Sequence, residues 1–257
     1  MEAARPLALL SNDDGVASHG LQVMRDILRE QFDVVVIAPE TEQSASSHAL
    51  SLHRPLRLRK VSEESGVAVF ALDGTPADCV YVALHAGTRV LPRRPDVVVS
   101  GINRGLNLGQ DVFYSGTVAA AREGALRGIP AVAMSAHPHA DLPAVAQLAA
   151  KIAAYLVTEK KHDVLFNVNV PKKWSGEVRS TKIGARIYEE LVDMRVDPRG
   201  REYLWLGGPG VRHERNPGTD TDAYDDGAAS ITPLMLDLTR RDDVTLTETI
   251  AAHVRGA

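Results

Sequence analysis

Cys79 is the chain's single cysteine. That excludes an intramolecular disulfide and fits a reducing compartment. Aromatic residues are few, at 5%, and no apolar run approaches the roughly 18 residues of a membrane span. A basic n-region and an apolar h-region do not precede the first apolar segment, so no signal peptide is expected. Charge of one sign is also missing: the formal net charge is -4, which gives no electrostatic reason to expect nucleic acid. The basic clusters Arg57 to Lys60 and Arg93-Arg94 are short, lack interleaved aromatics, and read as solvated faces. The nine histidines show no metal-ligand spacing. These absences predict a cytoplasmic protein with neither nucleic acid nor membrane as a partner.

What is present begins at Leu7 to Gly15, LALLSNDDG. A short apolar run bounded by turn residues fits a strand buried on both faces. Asp13 and Asp14 fall where that strand leaves the sheet, the place where open α/β sheets bind ligands. Adjacent carboxylates repel, and water or a shared cation keeps both ionised. Leu21, Met24, Ile27 and Leu28 follow at helical spacing, then Phe32 to Ala38 as a second buried strand. Strand, helix and strand in this compass form a βαβ unit with parallel strands. A polar loop, Glu40 to His48, then carries Ser44, Ser46 and Ser47 to the same sheet edge.

Leu50, Leu52, Leu56 and Leu58 alternate with polar residues and suggest half-exposed strands near an edge. Val67 to Leu72 reads as a strand. Thr75-Pro76-Ala77-Asp78 signals a capped helix start running to His85. Asp96 to Ser100 is the next buried strand. It feeds the loop Gly101 to Val118, with glycines at 101, 105, 109 and 116 among Asn103, Asn107, Asp111, Tyr114, Ser115 and Thr117. This is neither a dinucleotide fingerprint nor a Walker loop. Glycines such as Gly109 let backbone approach a ligand closely, and Ser115-Gly116-Thr117 opens a helix whose first N–H groups make an anion site. Ala131 to Ser135, a helix over Asp141 to Glu159, and Val164 to Val170 continue the α/β alternation, with Asn167 and Asn169 facing one side in backbone-satisfying roles. Beyond Lys182, Arg, Asp, Gly and Pro dominate as far as Gly227. This reads as an extended arm with a strand-like run at Tyr203 and Trp205, and Asn216 to Gly227 as a solvated turn or a segment behind the site. Ser230 to Asp237 and Leu246 to Val254 read as a last strand and helix.

The fold expected is therefore α/β: a single three-layer α/β/α, Rossmann-like domain with a largely parallel sheet, divided into a core (1–182) and a C-terminal arm (183–257). Asp13, Asp14, Ser44 and Asn103 all follow parallel strands, whose ends converge. Their donor atoms are all oxygen, which favours a hard cation such as Mg²⁺ or Mn²⁺ over Zn²⁺. A hard metal beside an anion-binding helix start suits phosphate-ester hydrolysis.

The segments SNDDG, QSASSHALS, GTPADCV and SGINRGLNLGQDVFYSGTVAAAREG resemble the SurE family of survival proteins. The resemblance covers most of the first 135 residues. It continues weakly through Asn167 to Pro171, the Gly218-Thr219-Asp220 loop and Ser230 to Leu234. It implies a divalent-metal-dependent 5′-nucleotidase acting on nucleoside monophosphates with broad base tolerance, and on 3′-monophosphates and short polyphosphate, through metal-activated water. One metal ion per subunit is implied, held by Asp13, Asp14, Ser44 and Asn103, with Ca²⁺ as a non-native occupant. Catalysis then involves Asp13, Asp14, Asn103, Ser115 and Thr117; the phosphate is held by Asn103, Gly109, Ser115, Gly116 and Thr117. The resemblance also implies homodimers or homotetramers built through the arm. His19 stands where many members have proline, which bears on loop shape or substrate access. A haloacid-dehalogenase-type phosphatase would need Asp-x-Asp, and a receiver domain a phosphoacceptor Asp at a later strand end; here that strand ends in Ser100-Gly101. A non-catalytic nucleotide or phosphate sensor using the same pocket is the alternative, and phosphate release with and without EDTA separates the two.

Overall fold

Hydrophobic strands stack side by side because each is apolar on both faces and must be covered twice. The computed structural model describes residues 5–188, 192–207 and 210–255. The first eight strands are β1 (Leu7–Ser11), β2 (Asp33–Pro39), β3 (Leu58–Glu64), β4 (Val67–Leu72), β5 (Val97–Arg104), β6 (Ala131–Ala136), β7 (Leu165–Val170) and β8 (Val178–Ser180). The arm adds β9 (Ala185–Tyr188), β10 (Val192–Val196), β11 (Glu202–Leu206) and β12 (Val211–Glu214), and the chain returns as β13 (Ala229–Leu234). One nine-stranded sheet has the order β3-β4-β2-β1-β5-β6-β7-β13-β8. The run from β4 to β7 is parallel throughout. Antiparallel pairing joins β3 to β4 and β13 to β7.

The helices are α1 (His19–Leu28), α2 (Pro76–His85), α3 (Gly116–Ala125), α4 (Leu142–Thr158), α5 (Asp220–Asp225) and α6 (Val244–Arg255). The two-residue alternation of β1 divides the core. Ala8 and Leu10 pack with Leu21 and Met24 of α1 and Val145 and Ala149 of α4. Leu7 and Leu9 pack on the other face with Cys79 and Val80 of α2 and Val118 and Ala121 of α3. This is the expected three-layer α/β/α arrangement. Burial of Cys79 pushes its thiol well above the usual range, as suits a structural residue. The start of α2 is the capping box the sequence announces: Thr75 Oγ1 accepts from Asp78 N (3.1 Å), and Asp78 Oδ2 accepts from Thr75 N (2.9 Å).

Three expectations are corrected. The alternating leucines from Leu50 onward do not form a strand; the strand starts at Leu58, and Leu52 is 78% exposed. With Pro55 between them, the apolar positions there have no sheet partner to satisfy their backbone. Asn216 to Gly227 is not a solvated turn. Thr219 caps α5 by accepting from Asp222 N, and Asp220 is fully buried. Finally, Lys182 does not bound the sheet, because β13 lies inside it, between β7 and β8. The rest of the later chain forms two two-stranded antiparallel ribbons, β10–β11 and β12–β9. The β10–β11 ribbon leaves Met194, Leu204 and Leu206 exposed. No described helix is long and apolar enough to cross a membrane.

Candidate functional site

The sheet order reverses at β1: β2 and β4 continue on one side, β5 to β7 on the other. Loops leaving β1, β2 and β5 therefore diverge above one crevice, the topological switch point at which such sheets bind ligands. A cleft of about 1040 Å³ opens there, lined among others by Asp13, Asp14, Ser44, Asn103 and Ser115.

The turn after β1 is built by Asn12. Its Nδ2 donates to Gly15 O (3.0 Å) and Ser18 Oγ (2.7 Å), which fixes the chain around the two carboxylates. The loop after β2 is tied to the same place, since Gln43 N donates to Asp13 O (2.8 Å) and Ser47 N to Tyr114 O (3.0 Å). Asp13 is buried, at 6% exposure. Its Oδ1 accepts a short hydrogen bond from the Thr117 hydroxyl. Burial raises its pKa to about 6, with the Thr117 bond opposing and the Asp14 charge adding to the rise. Burial also raises Asp14, opposed by the Arg104 backbone N–H, which donates to Asp14 Oδ2 at 3.0 Å; nearby Glu42 adds to the rise.

Four oxygen donors now face one cleft. Asp13 and Asp14 each have one oxygen bonded to a protein donor. Ser44 donates its proton to Glu42 Oε1 (2.5 Å), so its lone pairs stay available. Asn103 donates Nδ2 to Gly105 O (3.1 Å), which leaves its carbonyl oxygen as the free end. Among the described residues no three His, Cys, Asp or Glu side chains cluster as a metal site. A cation here would therefore rest on two carboxylates and two neutral oxygens, a set that suits a hard ion retaining water. Two carboxylates side by side, both raised chiefly by desolvation, are the observation that fits such an ion, because a bound cation would favour the charged form of each.

The structure does not bring the remaining predicted residues into one cradle. Ser115 lines the cleft, and its hydroxyl caps α3 by accepting from Val118 N (3.0 Å). Gly116 sits where a Cβ would meet Asp13 Cβ and Ser46 Oγ at 2.9 Å each, so only glycine fits between helix and carboxylate. Thr117 is fully buried and serves Asp13 through its hydroxyl. Gly109 adopts φ +56, and its N–H donates to Asp220 Oδ2 (3.0 Å), away from the cleft wall. Asn167 and Asn169 do hold backbone, both donating to Asn107 O at 2.7 and 3.1 Å. His19 lines the cleft at the start of α1. His48 Nε2 lies 2.9 Å from Glu123 Oε2, tethering the serine loop to α3.

Sequence reasoning missed Glu42, Arg104, Asp111, Arg186 and Tyr188, all on the cleft wall. Arg186 and Asp111 form a tight ion pair, and the Tyr188 hydroxyl donates to Asp111 Oδ1 (2.6 Å). Arg186 and Tyr188 lie on β9, beyond the apparent end of the core. No local signal marked them, because an Arg-x-Tyr in a polar stretch is ordinary until the fold delivers it. Asp220 was visible as one acid among several and as part of the weakly matching Gly218-Thr219-Asp220 loop, without a role.

The profile described as "Survival protein SurE" matches residues 8–190 of this chain. The chain is 62% identical over 239 residues to the protein named 5'-nucleotidase SurE of Sorangium cellulosum, covering 91% of both chains. It is 44% identical over 237 residues to the protein of the same name from Caldanaerobacter subterraneus subsp. tengcongensis, covering 90% of this chain and 92% of that one. The crystal structure of the SurE protein of Aquifex aeolicus superposes with a TM-score of 0.80 at 34% identity, over 96% of this chain and all of that one. Similarity therefore runs well past the first 135 residues and through the arm, and the chain belongs to the SurE family of survival proteins.

Proposed function

We propose that this chain is a divalent-metal-dependent 5′-nucleotidase that hydrolyses nucleoside 5′-monophosphates to nucleoside and phosphate. The observation that carries this is the adjacent carboxylate pair at the switch point, buried Asp13 and half-buried Asp14, both raised first by desolvation, beside the start of α3. The names borne by the similar proteins point to the same activity. Asp13, Asp14, Ser44 and Asn103 would hold a hard divalent ion, Mg²⁺ or Mn²⁺, with Ca²⁺ as a non-native occupant. When bound, that ion would polarise the phosphoryl oxygen and lower the pKa of the attacking water.

The chain's own residues do the rest. Thr117 orients Asp13 by donating to Oδ1 and keeps its carboxylate more acidic than burial alone would. Arg104 N holds Asp14. Ser115 takes the Val118 N–H of α3; the Gly116 and Thr117 N–H groups have no intrahelical partner and, with Ser115 at the cleft wall, would receive the phosphoryl oxygens, where the helix dipole favours negative charge. Gly116 makes the close approach of helix and carboxylate possible. Asp13 and Asp14 each accept from a protein donor and would also hold the cation, which would leave them poor nucleophiles and water the attacking group. The test is a panel of nucleoside 5′- and 3′-monophosphates and short polyphosphate, each with Mg²⁺, Mn²⁺ and EDTA, plus acid quench during turnover of radiolabelled substrate. Phosphate release that EDTA abolishes, without protein-bound label, is expected. Tight nucleotide binding without release would instead make the chain a sensor, and hydroxylamine-labile label would make an aspartate the nucleophile.

We also read the β10–β11 ribbon and α6 as surfaces through which copies associate as a homodimer or homotetramer. The support is the exposed apolar side chains of the ribbon and Val244, Leu246, Ile250 and Val254 of α6, none of them buried in the single chain. Light scattering should give a mass of two or four chains; a monomer at micromolar concentration would remove this reading.

A further inference from the structure

The chain has six tyrosines, and two of them, Tyr114 and Tyr188, line the same cleft as Asp13 and Asp14. Tyr114 is 66% exposed and Tyr188 44%. Neither is a loose surface side chain. The backbone of Tyr114 is held at both ends: its N–H donates to Asp111 O (3.0 Å), and its C=O accepts from Ser47 N (3.0 Å). It also immediately precedes Ser115, the cap of α3. The Tyr188 hydroxyl donates to Asp111 Oδ1 (2.6 Å), and the Arg186 guanidinium lies over its ring, 5.4 Å from the centroid. Arg186 in turn pairs with Asp111 Oδ2. Asp111 thus links the two: its carboxylate holds the strand that carries Tyr188, and its backbone C=O accepts from Tyr114 N.

This wall offers the exposed ring of Tyr114 and the face of Tyr188 that Arg186 does not cover, with the Arg186 Nε as a donor that has no protein partner among the described residues. Both oxygens of Asp111 are occupied, one by Tyr188 and one by Arg186. Two exposed rings beside one donor suit a partner that is flat and aromatic, carries an acceptor, and is joined to a phosphoryl group at the neighbouring helix start. A nucleobase meets that description, since every base has a π-face. We propose that Tyr114 and Tyr188 form a stacking wall for the substrate's nucleobase, held in shape by Asp111 through Arg186 and Tyr188. The proposal rests on the phosphomonoesterase reading for the position of the phosphate. It gives base tolerance a physical origin: recognition by ring area admits all bases and ranks purines above pyrimidines. It also gives the arm a place in the cleft, because Arg186 and Tyr188 belong to β9.

The experiment compares adenosine 5′-monophosphate with ribose 5-phosphate, which lacks the base, on the full-length protein with Mn²⁺. Relative to wild type, Tyr114→Ala should lower kcat/KM for the nucleotide about tenfold more than for the sugar phosphate, the size of one lost stacking contact. Tyr114→Phe should restore the wild-type ratio. Equal losses for both substrates, or no loss for either, would overturn the proposal. Calorimetric titration of the metal-free protein with the same two compounds separates this from failure of the nucleotidase reading. If neither compound is hydrolysed but Tyr114→Ala still weakens nucleotide binding selectively, the stacking wall stands and the hydrolytic reading falls. If nucleotide binding is unchanged by Tyr114→Ala, the wall falls whatever the turnover.

Discussion

Asp13→Asn should nearly abolish phosphate release, with a fall in kcat/KM on the order of 1,000-fold, because on the proposed reading it removes a charge that would hold the metal and be worth several kcal/mol of transition-state stabilisation. Asparagine keeps an oxygen for the Thr117 hydroxyl, so the local geometry survives and the charge alone is lost. Mn²⁺ affinity measured by calorimetry should fall in parallel. Near-normal activity at low metal would remove Asp13 from the ligand set.

The same substitution should stabilise the metal-free protein, and the sign follows from the pKa. Burial first, and then the Asp14 charge, raise Asp13 from its ordinary value of 3.8 to about 6. A carboxyl raised on folding resists ionisation in the native state. Its cost is therefore absent below the unfolded pKa, grows as pH rises between the two values, and is complete above the folded one. In EDTA at neutral pH, Asp13→Asn should raise stability by on the order of 3 kcal/mol, and the gain should vanish towards pH 4. Thermal melts across that range decide the matter; a gain independent of pH would show that ionisation of the buried carboxyl is not its source. Residues that weaken the empty protein and serve the loaded one are the pattern expected of a binding site.

Asp220→Ala should be strongly destabilising although Asp220 neither lines the cleft nor touches a candidate metal ligand. Its carboxylate accepts from Gly109 N (3.0 Å), Gly184 N (2.7 Å) and Thr221 N (2.8 Å). It thereby ties the glycine loop, the segment leading into β9 and the start of α5 to one point. Alanine leaves these buried donors unsatisfied, at about 1–3 kcal/mol each. The loss should come to roughly 4 kcal/mol, or a fall in Tm of roughly 10 °C for a chain of this size. Asp220→Asn should lie between, since it retains one acceptor and turns an amide N–H₂ against another donor. A Tm within 2 °C of wild type for Asp220→Ala, about what 1 kcal/mol gives, would mean that water replaces the carboxylate and that the staple contributes little.

The paired acids, the serine loop and the glycine-rich loop were legible because their chemistry is local. An apolar strand that stops at Ser-Asn-Asp-Asp, or a Ser-Gly-Thr helix start, carries its meaning within a few residues. The α/β alternation was legible for the same reason, since strand burial and helix periodicity are written in neighbouring side chains. The cap of α2 followed from Thr75, Pro76 and Asp78 alone.

Residues whose roles depend on distant partners were not legible. Asp220 looked like part of an acidic turn until folding buried it against Gly109, more than a hundred positions away. Thr117 read as a phosphate ligand, and the structure turns its hydroxyl to Asp13. Arg186 and Tyr188 looked like arm residues and stand on the cleft wall, because β9 folds back against the turn that carries Asp111. Composition set the boundary at Lys182, whereas backbone hydrogen bonding carried β13 across it to complete the sheet. The sequence by itself determined which segments become strands and helices and where the reactive oxygens lie, since propensity and burial pattern act over short distances. Only the tertiary structure decided which of those oxygens share a partner and which surface faces the ligand, because a carboxylate's donors, its desolvation and its neighbours' charges come from whatever the fold brings within a few ångströms.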